Sequence, residues 1–72
     1  MPHPATVARD DAGELQAVDG RPVEATGERW RVDDEWWRQP ISRRYLEAIL
    51  AGGARVVVFE DLITGAWFVQ QP

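Results

Sequence analysis

Short segments in which apolar and polar residues alternate make up most of this chain. The clearest spans residues 29–33, where Trp30 and Val32 share one side and charged residues share the other. Alternation with a period of two is typical of a strand that has one buried side. The pattern therefore predicts that Trp30 belongs to the core of a small β domain.

Similar segments recur along the chain. They lie at residues 5–9, 14–18, 23–32, 55–60 and 66–70. Residues 56–59 are apolar on both sides, which predicts a central strand covered on both faces. In the last segment, the alternation places Trp67 and Val69 on one face and Phe68 on the other.

The residues between these segments favour tight turns. Asp19 with Gly20, and Gly52 with Gly53, form pairs that readily adopt the positive φ angles of a two-residue hairpin turn. Asp61 is suited to accept backbone N–H bonds in the last loop. Gly27 interrupts a strand-like segment and indicates a bulge or a bend.

Two stretches are also compatible with a helix. Residues 42–51 have apolar side chains at helical spacing after Ser42, a suitable cap. They run directly into the Gly52 turn, however, so a strand is favoured and a helix stays open. Residues 33–37 break the alternation, and Asp33 is suited to cap one short helical turn there.

Length limits these elements to one domain of 72 residues. We predict an all-β fold, with at most one short helical turn near residues 33–37. Its architecture is a small antiparallel sheet or a partly open SH3-like barrel of five to six strands. Residues 1–4 are predicted to be a disordered tail, and residues 5–72 the single domain. The sequence has no cysteine, so disulfides cannot stabilise so small a core. Burial of the four large tryptophan side chains is the natural alternative.

Few residues offer catalytic chemistry. The chain has one serine, Ser42, and one histidine, His3, which falls in the predicted tail. Nucleophilic catalysis needs an ordered base beside its nucleophile, so this pair is a poor candidate. The neighbouring acids occur in turn-like positions. The pair Gly52–Gly53 is not followed by the Lys-Ser/Thr and the helix of a phosphate-binding loop. We therefore expect no enzyme activity, no metal site and no cofactor.

Charge and aromatic residues are concentrated in one segment, residues 29–45. It has five arginines against three acids, a net charge of +2, while the rest of the chain carries −6. Tryptophan, tyrosine and arginine are enriched at binding hot spots, and they also suit stacking on single-stranded nucleic acid. The predicted binding face consists of Trp36, Trp37, Arg38, Arg43, Arg44 and Tyr45. The alternative is that the tryptophans form the core and the arginines cover them.

The same segment carries a family resemblance. The residues that carry it run from Trp30 to Arg38 (WRVDDEWWR) and from Pro40 to Tyr45 (PISRRY). They are followed by VFEDL and TGAWF near the end of the sequence. Together they resemble the small domain at the C-terminal end of bacterial Y-family DNA polymerase homologues of the ImuB type. The resemblance covers roughly residues 14–70. It implies an accessory role in translesion synthesis through protein contacts, without polymerase activity and without catalytic residues.

Three functions follow as hypotheses. The first is a non-catalytic protein-interaction module of a DNA-repair or mutagenesis assembly. The second is a domain that binds single-stranded nucleic acid, and the third is a self-associating structural domain. The sequence has neither a signal-peptide pattern nor an apolar run of membrane-spanning length, so a cytoplasmic location without membrane contact is expected. The oligomeric state is left open.

Overall fold

Seven antiparallel strands form one sheet, which is bent into a half-barrel in the computed structural model. The backbone is described for residues 2–36 and 39–70, and the side chains for residues 2–34 and 40–70. The strands are β1 (His3–Pro4), β2 (Val7–Arg9), β3 (Leu15–Val18), β4 (Arg21–Trp36), β5 (Gln39–Leu50), β6 (Arg55–Asp61) and β7 (Trp67–Gln70). Their order across the sheet is β1-β7-β6-β5-β4-β3-β2. The predicted all-β class is confirmed, with seven strands where five to six were expected.

Aliphatic side chains fill the inner side of the half-barrel. Leu15 of β3 and Val69 of β7 belong to the same buried cluster, although three strands separate them in the sheet. Only the concave side of a bent sheet brings such distant strands together. Val58 of the central strand β6 is fully buried there, at 0% exposure. As predicted, β6 is flanked on both sides, by β5 and β7.

The two edges of the sheet are tied together by the chain itself. Only Ala5 and Thr6 lie between edge strands β1 and β2. The Ala5 amide donates to the Trp67 carbonyl at 2.9 Å, and the Thr6 amide donates to Asp19 Oδ1 at 2.8 Å. These two hydrogen bonds attach the link to β7 and to the β3–β4 turn, so the chain itself connects the two edges of the sheet.

Hairpin turns and a bulge set the strand register. Asp19 and Gly20 have φ angles of 50° and 79°, and Gly52 and Gly53 have 92° and 87°, so both predicted tight turns are confirmed. The β4–β5 register shifts between Thr26 and Arg29, which confirms the bulge predicted at Gly27.

Two sequence expectations are decided by strand pairing. Residues 42–50 lie in β5, so the favoured strand is correct and the helix is not. The predicted helical turn at 33–37 is wrong for its described part, because Asp33 pairs with Ser42 and Trp36 with Gln39 in an extended ladder. That ladder uses the backbone groups that a helical turn would have needed. Residue 37 lies outside the described residues.

The N-terminal segment also differs from expectation. His3 and Pro4, assigned above to a disordered tail, pair with Val69 and Phe68 of β7. Alternation cannot be detected in a two-residue strand, so no sequence pattern indicates β1. Within the described residues there is no helix, and hence none of a length and apolarity that would cross a membrane.

Candidate interaction surface

A row of aromatic side chains crosses the outer face of the sheet. Trp30 lies directly opposite Tyr45, Tyr45 opposite Phe59, and Phe59 opposite Phe68. The four residues therefore occupy one line across the neighbouring strands β4, β5, β6 and β7. Because side chains alternate between the faces of a strand, this row faces away from the aliphatic core.

The rings of this row are in direct contact. The centroids of Trp30 and Tyr45 are 5.3 Å apart with planes 4° from parallel. Tyr45 and Phe59 are 5.0 Å apart and tilted by 35°, and Phe59 and Phe68 are 5.1 Å apart at 21°. Aromatic pairs at such separations contribute about 0.5–1.5 kcal/mol each beyond the area they bury. The row therefore holds the outer faces of four strands in register.

Within the row, exposure increases from Phe59 toward the β4 end. Phe59 is only 2% exposed, although it does not belong to the inner cluster. The guanidinium of Arg43 covers its ring, with Cζ 4.8 Å from the centroid. Trp30, at the β4 end, is 41% exposed, which is large for so big an apolar side chain. The row is thus buried at Phe59 and exposed to solvent at Trp30.

Two neighbours extend the open end into a patch. Val32 is 37% exposed and lies opposite Arg43 on the same face. Arg43 Nη1 donates a hydrogen bond of 3.3 Å to the Tyr45 hydroxyl, which fixes the two side chains relative to each other. We call these four residues, Trp30, Val32, Arg43 and Tyr45, the aromatic surface.

The prediction that Trp30 belongs to the core is wrong. Trp30 and Val32 do share one face, as the alternation indicates, but it is the outer face. On the inner side of β4 at this level lie Arg29, opposite Leu46, and Arg31, opposite Arg44. These positions are near the mouth of the half-barrel, where long arginine side chains reach solvent. An alternating pattern cannot by itself distinguish which of its two faces is covered.

The predicted binding face is divided by the sheet. Arg43 and Tyr45 lie together on the outer face, in the aromatic surface. Arg44 is the next residue along β5 and lies on the inner side, with Nη1 4.0 Å from Glu60 Oε1. The side chains of the remaining three predicted residues, Trp36, Trp37 and Arg38, lie outside the described ones.

Trp30 and Val32 were not among the predicted binding residues. Their solvent exposure depends on the register between β4 and β5, which the bulge at Gly27 shifts. The only sequence signal for them was their position in the arginine- and tryptophan-rich segment.

The other arginines of this segment that the structure describes are paired on the inner side. Arg29 contacts Glu14 at 2.6 Å, and Arg31 Nε donates to Asp33 Oδ2 at 2.7 Å. The Ser42 hydroxyl donates to Asp33 Oδ1 at 2.6 Å. This hydrogen bond and then Arg31 hold the pKa of the Asp33 carboxyl below its ordinary value. Two of the described arginines of the segment, Arg29 and Arg31, are therefore neutralised locally, and both lie on the face opposite the aromatic surface.

The polar groups around Ser42 form no nucleophile–base arrangement in the described region. The Ser42 hydroxyl is hydrogen bonded to a carboxylate whose pKa is lowered, which makes that carboxylate a weak base. Among the described residues, no group of three or more acidic or histidine side chains is placed to hold a metal ion.

Comparison with known proteins adds no relative. No family model matches the chain, and neither a curated protein nor a solved structure does. The resemblance stated in the sequence analysis therefore stays a prediction.

Proposed function

We propose that this chain is a non-catalytic protein-interaction module that binds its partner through the aromatic surface. The observation that carries the proposal is the exposed Trp30, stacked on Tyr45, whose ring also contacts the buried ring of Phe59. A rigid aromatic side chain loses little conformational entropy on binding, and tryptophan is the residue type most enriched at hot spots.

The distribution of charge favours a protein partner over nucleic acid. Single-stranded nucleic acid needs stacking rings and several cations along one groove. Of the described arginines in residues 29–45, only Arg43 lies beside the rings. Arg29, Arg31 and Arg44 point to the inner side, and the first two are paired with acids. An isolated cation beside an apolar patch is typical of the centre of a protein interface.

The resemblance to the small domain of ImuB-type polymerase homologues suggests the setting. Such a module would attach one component of a DNA-repair or translesion assembly to another in the cytoplasm. This part of the proposal depends on the resemblance alone, whereas the binding surface depends on the described residues.

The test is capture of partners by immobilised chain from a lysate of the source cells. Three baits are compared: the unchanged chain, Trp30→Ser, and Ile63→Ser. Ile63 is a matched control because it is also an exposed large apolar residue, at 56%, and lies in the loop between β6 and β7. We expect a defined set of proteins on the unchanged chain and on Ile63→Ser, with loss from Trp30→Ser.

Each rival function predicts a different result. Equal capture by Trp30→Ser and Ile63→Ser would overturn the proposal that the partner binds through the aromatic surface. Captured proteins unrelated to DNA repair would overturn the proposed role in a repair assembly, but not the proposed binding surface. A nucleic-acid binder would instead bind a labelled single strand at low salt, with affinity falling steeply as salt rises. A self-associating domain would sediment as a larger species with increasing concentration.

A further inference from the structure

A small cavity opens at the mouth of the half-barrel, on the side of the sheet opposite the aromatic surface. Its volume is about 90 Å³, and it is partly enclosed. Leu15, Leu46 and Trp67 contribute apolar walls, and all three belong to the inner cluster or pack against it. The inner end of the cavity is thus continuous with the hydrophobic core.

Three arginines from three different strands line the same cavity. They are Arg9 of β2, Arg29 of β4 and Arg44 of β5. Two glutamates, Glu14 and Glu60, also line it, so its charged lining has three cations against two anions, a net charge of +1. Three guanidinium groups around one opening with an apolar floor are unusual in a chain whose net charge is −4.

Arg9 is the guanidinium that supplies the uncompensated charge. Its Cζ lies 5.4 Å from the centroid of the Trp67 ring. Among the described residues it forms no ion pair, whereas Arg29 contacts Glu14 at 2.6 Å. Arg44 is 4.0 Å from Glu60, beyond hydrogen-bond distance. Arg9 and Arg44 therefore keep donors available for a ligand.

We propose that this cavity binds a carboxylate that carries a short apolar group. A guanidinium donates two parallel N–H bonds to a carboxylate, and a single negative charge would neutralise the lining. The apolar part would contact Leu15, Leu46 and the Trp67 ring. A cavity needs a volume of about 10–15 Å³, measured in the same way, to hold one water. The volume of about 90 Å³ therefore accepts a group of several heavy atoms. The carboxylate belongs either to the C-terminus of a peptide or to a small free acid.

The site goes beyond the proposed interaction surface, because it opens on the other side of the sheet. Of the four residues of the aromatic surface, only Tyr45 also borders the cavity. Leu46 and Arg44 face the inner side of β5, whereas Tyr45 and Arg43 face the outer side. Substitution of Trp30 should therefore leave carboxylate binding unchanged, and substitution of Arg9 should leave partner capture unchanged. Failure of one proposal does not imply failure of the other.

The test is an NMR titration of the full-length labelled chain, following the Trp67 indole N–H. Four probes are added separately: butyrate, an N-acetylated pentapeptide with uncharged side chains and a free C-terminal carboxylate, the same peptide as its C-terminal amide, and inorganic phosphate. We expect a saturable shift of the Trp67 signal with at least one of the two carboxylates and none with the amide. Saturation by the peptide alone would identify a protein C-terminus, and saturation by butyrate alone a small acid.

Charge variants test which residues form the site. Arg9→Gln should weaken carboxylate binding about tenfold, because one charge-assisted hydrogen bond is lost. Arg44→Gln is the second variant, should the first disturb folding. Arg55→Gln is the matched control, since Arg55 lies on the outer side of β6 and does not line the cavity. Equal binding of amide and acid, equal binding of phosphate and butyrate, or equal weakening by Arg55→Gln would overturn the proposal.

Discussion

The two faces of the sheet are built from different side chains and are stabilised in different ways. The inner face packs aliphatic residues from non-neighbouring strands into one cluster, so its stability depends on closure of the half-barrel. The outer face places aromatic rings of neighbouring strands directly opposite one another, so its stability depends on register. Both faces have residues that are almost fully buried, Val58 inside and Phe59 outside.

The difference lies in how each face ends. The inner cluster is bounded by strands β2 and β3, which fold over it. The outer row has no layer above it, and it ends at the half-exposed Trp30. A small domain can thus use one face for its core and retain large apolar side chains on the other for contact.

The largest effect is expected from a cavity in the inner face. Leu50→Ala removes most of a side chain that is 2% exposed, and such changes cost about 2–5 kcal/mol of unfolding free energy. Stability of a domain this small is modest, so much of it would be lost. Urea denaturation followed by circular dichroism measures the change. Ile63→Ala, at an exposed loop position, should change stability by less than about 0.5 kcal/mol.

A smaller effect is expected when the middle of the outer row is altered. Phe59→Leu keeps an apolar side chain but loses ring contacts with both Tyr45 and Phe68. We expect a loss of about 1–3 kcal/mol, from two aromatic pairs. The same denaturation experiment measures it. A change near zero would show that the row is not a source of stability.

The open end of the row should matter still less for folding. Trp30 has one ring partner in the row, Tyr45, and remains 41% exposed. Trp30→Ser should therefore lower the unfolding free energy by about 0.5–1.5 kcal/mol, less than Phe59→Leu. If Trp30→Ser proved as damaging as Leu50→Ala, Trp30 would be a core residue and the contrast between the faces would fail.

The smallest effect concerns acid titration at the β4–β5 ladder. Ser42→Ala removes the hydrogen bond that most lowers the pKa of Asp33, so this pKa should rise toward its ordinary value. A lowered folded-state pKa means that Asp33 contributes stability above its unfolded pKa. That contribution is lost as pH falls through the folded-state pKa of Asp33. In the Ser42→Ala variant, the contribution of Asp33 to the free energy of unfolding should be smaller. A carboxyl NMR titration of Asp33 measures the shift, and an unchanged curve in the variant would refute the assignment.

Much of the local structure could be predicted from the sequence. Alternating segments predicted β2, β3, β7 and most of β4, because each has a side that must be buried, and a run apolar on both faces predicted β6. The turns at Asp19, Gly20, Gly52 and Gly53 were predictable because positive φ angles favour these residue types. Asp61 also accepts from the amides of Ile63 and Thr64, as its position before a loop suggests.

The surface could be predicted only in part. Arg43 and Tyr45 were found through local composition, but Arg44 was grouped with them although adjacent strand residues face opposite sides. Trp30 was assigned to the core because alternation does not show which face is covered. Its partner Tyr45 lies fifteen positions away in sequence, and their contact depends on a register that the Gly27 bulge shifts.

The most direct test of the account is the affinity of the captured partner for purified variants. Isothermal titration calorimetry would compare the unchanged chain with Trp30→Ser and Ile63→Ser. A hot-spot residue contributes at least about 2 kcal/mol, so we expect binding at least roughly thirtyfold weaker for Trp30→Ser. Ile63→Ser should bind like the unchanged chain. Equal affinities for all three proteins would contradict the claim that the outer aromatic surface binds the partner.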